Sequence, residues 1–306
     1  MFKKQIKMLE INKIKGVIPP IITPVDADEN VDPDGLRRVI DYVLEGGVHG
    51  IFVLGSNGEF YGFDENNQQN AIEITVQHTG GRVPVYAGIG SITTKACLRQ
   101  ARMAEEAGAD AITVLTPMFI NPSPDELYDH FKTIAEGTPL PVLLYNNPGK
   151  TTNDIPVGLL TELARIDNIM GIKNTSINFA QTIQYLNETK NINRFNVLSG
   201  IDYYIYATLT HGGTGCVAGI ANVAPALVTE IYDKCMEGDH AGALEAQNRL
   251  IPLRNAYALG SFPVVMKDCM NLLGLNVGGP VKPVGHCREE QMDALRGILQ
   301  KLELIN

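Results

Sequence analysis

Tryptophan is absent from the chain and histidine is scarce, with six in 306 residues and no HxH or HExxH pairing. Histidines dispersed in this way do not build a metal site from local sequence, so none is expected. Cysteine is equally thin. Five residues (Cys97, Cys216, Cys235, Cys269 and Cys287) are spread along the chain without a CxxC. An odd, scattered set reads as reduced thiols of a cytoplasmic protein, not as a disulfide frame. Positive charge is also short. Twenty-five Lys+Arg against 34 Asp+Glu leave a formal charge of −9. This argues against a nucleic-acid partner, because phosphate contacts need basic clusters. The densest basic stretch, MFKKQIK at the start, reads as a solvated tail. No apolar run approaches the roughly 20 residues of a membrane-spanning helix, and no signal-peptide pattern opens the chain, so no membrane partner is expected.

What is present is enough apolar material for a large core, 44% hydrophobic against 19% charged residues. Short apolar runs alternate with longer amphipathic ones. Strands are expected at 16–23, 49–55, 83–88, 111–116, 141–146, 169–174, 195–200 and 214–219. Between them, DPDGLRRVIDYVLEGG places Leu36, Val39, Ile40 and Val43 at helical spacing and stops at Gly46-Gly47. TTKACLRQARMAEEAGAD repeats the pattern with Cys97, Ala101 and Ala104 before Gly108. SPDELYDHFKTIAEG opens on Ser123 as N-cap with Pro124 in the first turn. Eight strands, each followed by a helix, predict an α/β chain folded as a closed parallel (β/α)8 TIM barrel over residues 1–237. Periodicity alone leaves a doubly wound open sheet as rival. Residues 238–306 turn helical and read as a C-terminal helical extension packed on the barrel.

In such a barrel, function sits where the strands end. The second strand runs into GSNGEF (55–60), the fifth into Tyr145-Asn146-Asn147, the sixth into Lys173-Asn174-Thr175 and the seventh into Ser199-Gly200-Ile201-Asp202. Lys173 follows Met170, Gly171 and Ile172, in a stretch that reads as core. A buried ammonium is costly unless it is paired or gives up its proton, and a lysine that gives up its proton is an amine nucleophile. Against a reference pKa of about 10.4, burial would favour the neutral amine that attacks a ketone. The resulting iminium is an electron sink, and the chemistry then needs a proton shuttle. Tyr145 is the candidate acid/base, with Ser56 as relay. The GSNG turn offers backbone N–H groups and the short polar side chains of Ser56 and Asn57 to a carboxylate. Plainer readings exist for each piece: a salt-bridge lysine, a core tyrosine with a satisfied hydroxyl, a simple strand-to-helix turn.

Taken together, GVIPPIITP, GSNGEF, GIGS, YNNPGKT, GIKNTS, SGIDYY and GGTGCVAGIANVAP resemble the dihydrodipicolinate synthase / N-acetylneuraminate lyase family of class I aldolases over nearly the whole chain. The resemblance implies a (β/α)8 barrel with C-terminal helices, usually a homotetramer, and no metal or organic cofactor. It also implies a Schiff base between Lys173 and pyruvate or another 2-oxo acid, Tyr145 as general acid/base, and Ser56 with Asn57 as the carboxylate-binding and relay pair. By the same resemblance, Phe119 (from a neighbouring subunit), Lys150, Thr175, Gly200, Asp202, Tyr203 and Val217 line the substrate pocket.

Departures from the family pattern bear on the substrate. In the biosynthetic synthases a neighbour's tyrosine completes a hydroxyl relay; here that place holds Phe119. Those synthases carry arginine where this chain has Lys150, which keeps the charge but loses the bidentate fork. Sialate lyases carry a glutamate where this chain has Tyr203. Feedback-sensitive synthases hold polar groups in an interface cleft whose counterparts here are Phe60, Glu65, Gln68, Ile92 and Ala96. The resulting expectation is a lyase that cleaves a short hydroxylated 2-oxo acid, of the 2-keto-3-deoxy sugar acid or 4-hydroxy-2-oxoglutarate type, to pyruvate and an aldehyde. The alternatives are condensation of pyruvate with aspartate semialdehyde, N-acetylneuraminate cleavage, and a non-catalytic 2-oxo-acid sensor. A dinucleotide site at GGTGCVAG is disfavoured because its spacing is not GxGxxG.

Overall fold

The computed structural model describes residues 14–306, so the basic stretch at the start lies outside the described residues. Eight parallel strands form one sheet: β1 (Gly16–Val17), β2 (Ile51–Val53), β3 (Val85–Ile89), β4 (Ala111–Leu115), β5 (Val142–Asn146), β6 (Ile169–Asn174), β7 (Asn196–Ser199) and β8 (Gly215–Cys216). Their order is β1-β8-β7-β6-β5-β4-β3-β2. The two ends meet through a parallel bridge between Pro20 and Phe52. There Ile21 N–H donates to the Phe52 carbonyl and Phe52 N–H to that of Pro19, both at 2.9 Å, which closes the barrel.

Each expected strand is found, most of them trimmed at one or both ends. The largest shortfall is the first, expected over 16–23 and laddered only at Gly16–Val17. Pro19 and Pro20 carry no N–H and cannot continue a ladder. Along β2 and β4 to β8 every residue is buried, as strands covered on both faces require. At the narrow join of the barrel, a side chain on Gly215 would stand 2.2 Å from the Gly16 carbonyl oxygen, so only glycine lets β1 and β8 approach this closely.

The helices start where their caps dictate. Asp32 accepts from Asp34 N–H before Pro33–Glu45, and Thr93 accepts from Ala96 N–H before Thr94–Glu106. Ser123 and Glu126 form a capping box before Pro124–Gly137. Each such cap satisfies otherwise orphaned donors and contributes about 1 kcal/mol. The apolar stripe Leu36, Val39, Ile40 and Val43 faces the sheet, fully buried. Beyond the barrel helix Pro225–Glu237 come His240–Asn255, Val264–Leu272 and Glu289–Lys301. A 3-10 turn, Ala256–Leu259, follows His240–Asn255 and leads toward the mouth of the barrel.

Candidate active site

Strands β5 and β6 place the two chemical groups side by side. Tyr145 and Lys173 are register partners on adjacent strands, and the next rung pairs Asn146 with Asn174. The Lys173 ammonium lies 3.9 Å from the centre of the Tyr145 ring and 5.2 Å from that of Phe52. Lys173 is 3% exposed and Tyr145 4%. The rung above holds them in place. Asn146 Nδ2 donates to Asp154 Oδ1 at 2.7 Å and to Asn174 Oδ1 at 3.1 Å, while its Oδ1 accepts from Ile155 N–H at 3.1 Å. Asn174 Nδ2 donates in turn to Thr182 Oγ1 at 3.0 Å. A buried network with its members paired fixes one geometry for both strand ends.

The phenol has two further partners. Its oxygen lies 3.3 Å from Ser56 Oγ and accepts a 2.9 Å hydrogen bond from Asn147 Nδ2. Burial alone would push the Tyr145 hydroxyl up. The Lys173 ammonium, aided by the hydrogen bonds from Ser56 and Asn147, outweighs burial and holds it below the ordinary tyrosine range. A phenol held this way gives up its proton more readily than a free tyrosine.

A cavity of about 210 Å³ opens above this rung. Asn57, Lys150, Thr175, Gly200, Asp202 and Val217 line it together with Lys173 and Tyr145, so most of the expected set converges. Ser56 lines a separate small pocket that Tyr145 also borders, within reach of the phenol. Asn57 Oδ1 and Thr175 Oγ1 are buried without a hydrogen-bond partner among the described residues, which marks this wall as polar and unsatisfied. A side chain at Gly200 would meet Thr175 Oγ1 at 2.1 Å, so the bare backbone there makes room for that hydroxyl. The Lys150 ammonium lies 4.8 Å from the centre of the Phe262 ring.

Two expected residues stand elsewhere. Tyr203 does not line the cavity. It is 40% exposed, its hydroxyl donates to Asn255 Oδ1, and its ring packs on the Arg254 guanidinium. A side chain tied down at both ends in this way does not reach a substrate hydroxyl. Phe119 is 88% exposed and projects from a backbone with φ 72°, a conformation unusual for a large side chain, and it lines no part of this chain's own cavity.

Sequence reasoning passed over Asn147, Arg254, Tyr257 and Phe262, all of which line the cavity. The last three belong to the chain after residue 238, where no strand end points to a site. The only signal was density: Arg254, Tyr257 and Phe262 crowd into nine residues, an unusual set of large groups in one short stretch. Glu59, the last residue of the GSNGE turn, is also more than a turn residue. It is fully buried and paired with Lys267.

Residues 13–302 match the dihydrodipicolinate synthetase family model. A 4-hydroxy-tetrahydrodipicolinate synthase of Methanopyrus kandleri is 35% identical over 295 residues, covering 96% of this chain and 98% of that protein. Another, from Methanosarcina acetivorans, is 36% identical over 264 residues, covering 86% and 90%. Among solved structures, YagE, a prophage protein of the dihydrodipicolinic acid synthase family from E. coli K12 in complex with pyruvate, superposes with TM-score 0.92 at 31% identity, covering 95% of this chain and 99% of that one. A barrel closed through eight parallel strands, a lysine and a tyrosine on one rung at their ends, and a family match over nearly the full length lead to one assignment: the chain belongs to the dihydrodipicolinate synthetase family.

Proposed function

We propose that the protein makes or breaks a carbon–carbon bond of a 2-oxo acid through a Schiff base on Lys173. The observation that carries this reading is the rung Tyr145–Lys173, with the ammonium 3.9 Å from the phenol ring and Ser56 behind the hydroxyl. The Lys173 amine adds to the C2 carbonyl, and loss of water gives an iminium. In the cleavage direction the ionised Tyr145 takes the proton of the C4 hydroxyl. The C3–C4 bond breaks, its electron pair flows into the iminium, and an aldehyde leaves. The enamine takes a proton at C3, and hydrolysis releases pyruvate and the free amine. Condensation runs the same steps in reverse. The carboxylate next to the reacting carbonyl is assigned to the GSNG turn, where Asn57 lines the cavity. No step calls for a metal or an organic cofactor.

Two substrate readings have specific support. The residues of this chain favour cleavage of a short hydroxylated 2-oxo acid, because Phe119 brings no hydroxyl to a relay and Lys150 no fork to a carboxylate. The relatives favour the other direction, since they are named as synthases of 4-hydroxy-tetrahydrodipicolinate at 33–36% identity. Pyruvate as the common partner is supported by the pyruvate-bound state of YagE. The exposed Phe119, held out on a left-handed backbone, is proposed to enter the site region of a second copy in a homo-oligomer.

Borohydride reduction in the presence of pyruvate, with mapping of the labelled peptide, tests the mechanism; label on any lysine other than Lys173, or none, ends it. Substrate is settled by kcat/KM for 4-hydroxy-2-oxoglutarate and 2-keto-3-deoxy sugar acids against pyruvate plus aspartate semialdehyde. A tenfold lead for the semialdehyde makes the enzyme a synthase.

A further inference from the structure

Arg254 ends the helix His240–Asn255 and presents its guanidinium to the same cavity as Lys150 and Lys173. Two rings pack against it, with the guanidinium carbon 4.8 Å from the centre of the Tyr203 ring and 4.7 Å from that of Tyr257. Its side chain is 24% exposed. Among the described residues its one charge partner is the buried Asp202, with Nε 3.4 Å from Oδ2, yet Nε is buried there without a hydrogen-bond partner. Among the described residues no group accepts a hydrogen bond from any of its five N–H donors. The buried Nε–H therefore has no acceptor, while the terminal nitrogens keep their four N–H donors for a ligand or solvent. Stacking explains its orientation and Asp202 part of its charge. Neither supplies an acceptor for the buried Nε–H on the wall of the cavity.

Charge in the cavity points the same way. Lys150, Lys173 and Arg254 face a single acid, Asp202. Once Lys173 is an imine and the adjacent carboxylate lies on the GSNG turn, two cations remain for the far end of the substrate. Lys150 supplies a point charge, whereas Arg254 supplies a planar fork that matches a carboxylate.

We propose that Arg254 is a specificity-determining residue that holds a carboxylate at the distal end of the substrate, supplying the fork that position 150 lacks. The substrate class is therefore a dicarboxylic 2-oxo acid, in preference to one ending in a neutral polyol. This deepens the proposed function and rests on the imine at Lys173.

The test uses two ligands of equal length, 2-oxoglutarate and 2-oxopentanoate, which differ in having a carboxylate or a methyl group at the far end. Both are trapped by borohydride on the intact enzyme, so the readout needs no turnover. Half-saturating concentrations are measured for each, and for pyruvate, in the wild type, Arg254→Gln and Arg254→Lys. The wild type is expected to prefer 2-oxoglutarate by about 10- to 100-fold, the range of a charge-assisted hydrogen-bonded contact. Arg254→Gln should abolish that preference and leave pyruvate trapping within about threefold, a change too small for a lost charge-assisted bond. Arg254→Lys, which keeps the charge and the packing volume, should retain part of the preference. Equal losses for all three ligands in both variants would make Arg254 a structural residue and overturn the proposal, as would a wild type with no preference. Failure of pyruvate to label Lys173 in the wild type is a different result, and it removes the Schiff-base reading itself.

Discussion

Lys267 Nζ stands 2.5 Å from Glu59 Oε2, and neither side chain is exposed to solvent. The pair joins the GSNGE turn at the barrel mouth to the helix Val264–Leu272. Glu59 Oε1 accepts from Val281 N–H at 2.8 Å, and Lys267 donates to the Gly279 carbonyl at 2.7 Å. Glu59 has φ 52°, a strained value for a non-glycine residue, so the pair also maintains the shape of the turn. Burial lowers the Lys267 ammonium and Glu59 opposes that shift. Removing one partner leaves an uncompensated buried charge. Lys267→Met is expected to cost about 3–5 kcal/mol of stability in urea denaturation. Adding Glu59→Gln should recover part of that loss. A single variant as stable as the wild type would show that the pair does not hold the turn.

Tyr145→Phe should lower turnover by roughly 10²–10⁴-fold while the fold, followed by circular dichroism, is unchanged. Ser56→Ala is subtler. It removes one of the hydrogen bonds that hold the phenol down, so the Tyr145 hydroxyl rises toward its ordinary value. With the ionised phenol as the proposed base, the acidic limb of the kcat/KM profile should move to higher pH. An unmoved limb in Ser56→Ala would separate that limb from Tyr145.

Millimolar lysine should leave activity unchanged. The polar groups at the positions corresponding to a feedback cleft are already engaged within the chain. Gln68 donates to the Phe63 carbonyl at 2.9 Å and accepts from Gln100 at 3.1 Å, and Glu65 pairs with Arg99 at 3.1 Å. Inhibition curves for lysine at saturating and limiting pyruvate check this, and clear inhibition would revive a regulated synthase.

His130 gives stability a pH dependence away from the site. Its Nδ1 lies 2.8 Å from Thr94 Oγ1, and its Nε2 is buried without a partner among the described residues. Burial lowers its pKa from 6.5 to about 4. The unfolded chain therefore binds the extra proton first as pH falls. The contribution is complete above pH 6.5 and is lost progressively toward pH 4. The stability of the wild type relative to His130→Gln should therefore fall by about 1–3 kcal/mol over that window. A gap that stays constant from pH 7 to 4 would contradict the assignment.

The strands were legible because parallel strands buried on both faces read as unbroken apolar runs, and a polar residue at the end of such a run stands out. Lys173 and Tyr145 were visible for that reason. Tyr203 was misplaced because, four positions past the end of β7, it lies on the 3-10 turn Asp202–Tyr204, where Asp202 lines the cavity and the next side chain turns away. The ring belongs to the Arg254 stack, a relationship that needs the helix His240–Asn255 to be in place. Glu59 and Lys267 are 208 positions apart, and no periodicity links a turn residue to a lysine on a distant helix. Burial patterns are local in sequence; the pairing of charges is not.

The segment after Glu237 brings Arg254, Tyr257 and Phe262 to a cavity whose amine and phenol come from β5 and β6. On the proposed reading, bond chemistry and recognition of the far end lie in separate stretches of one gene. Exchanging the segment around 254–262 should then change substrate preference while the strand ends proposed to carry the imine are left untouched.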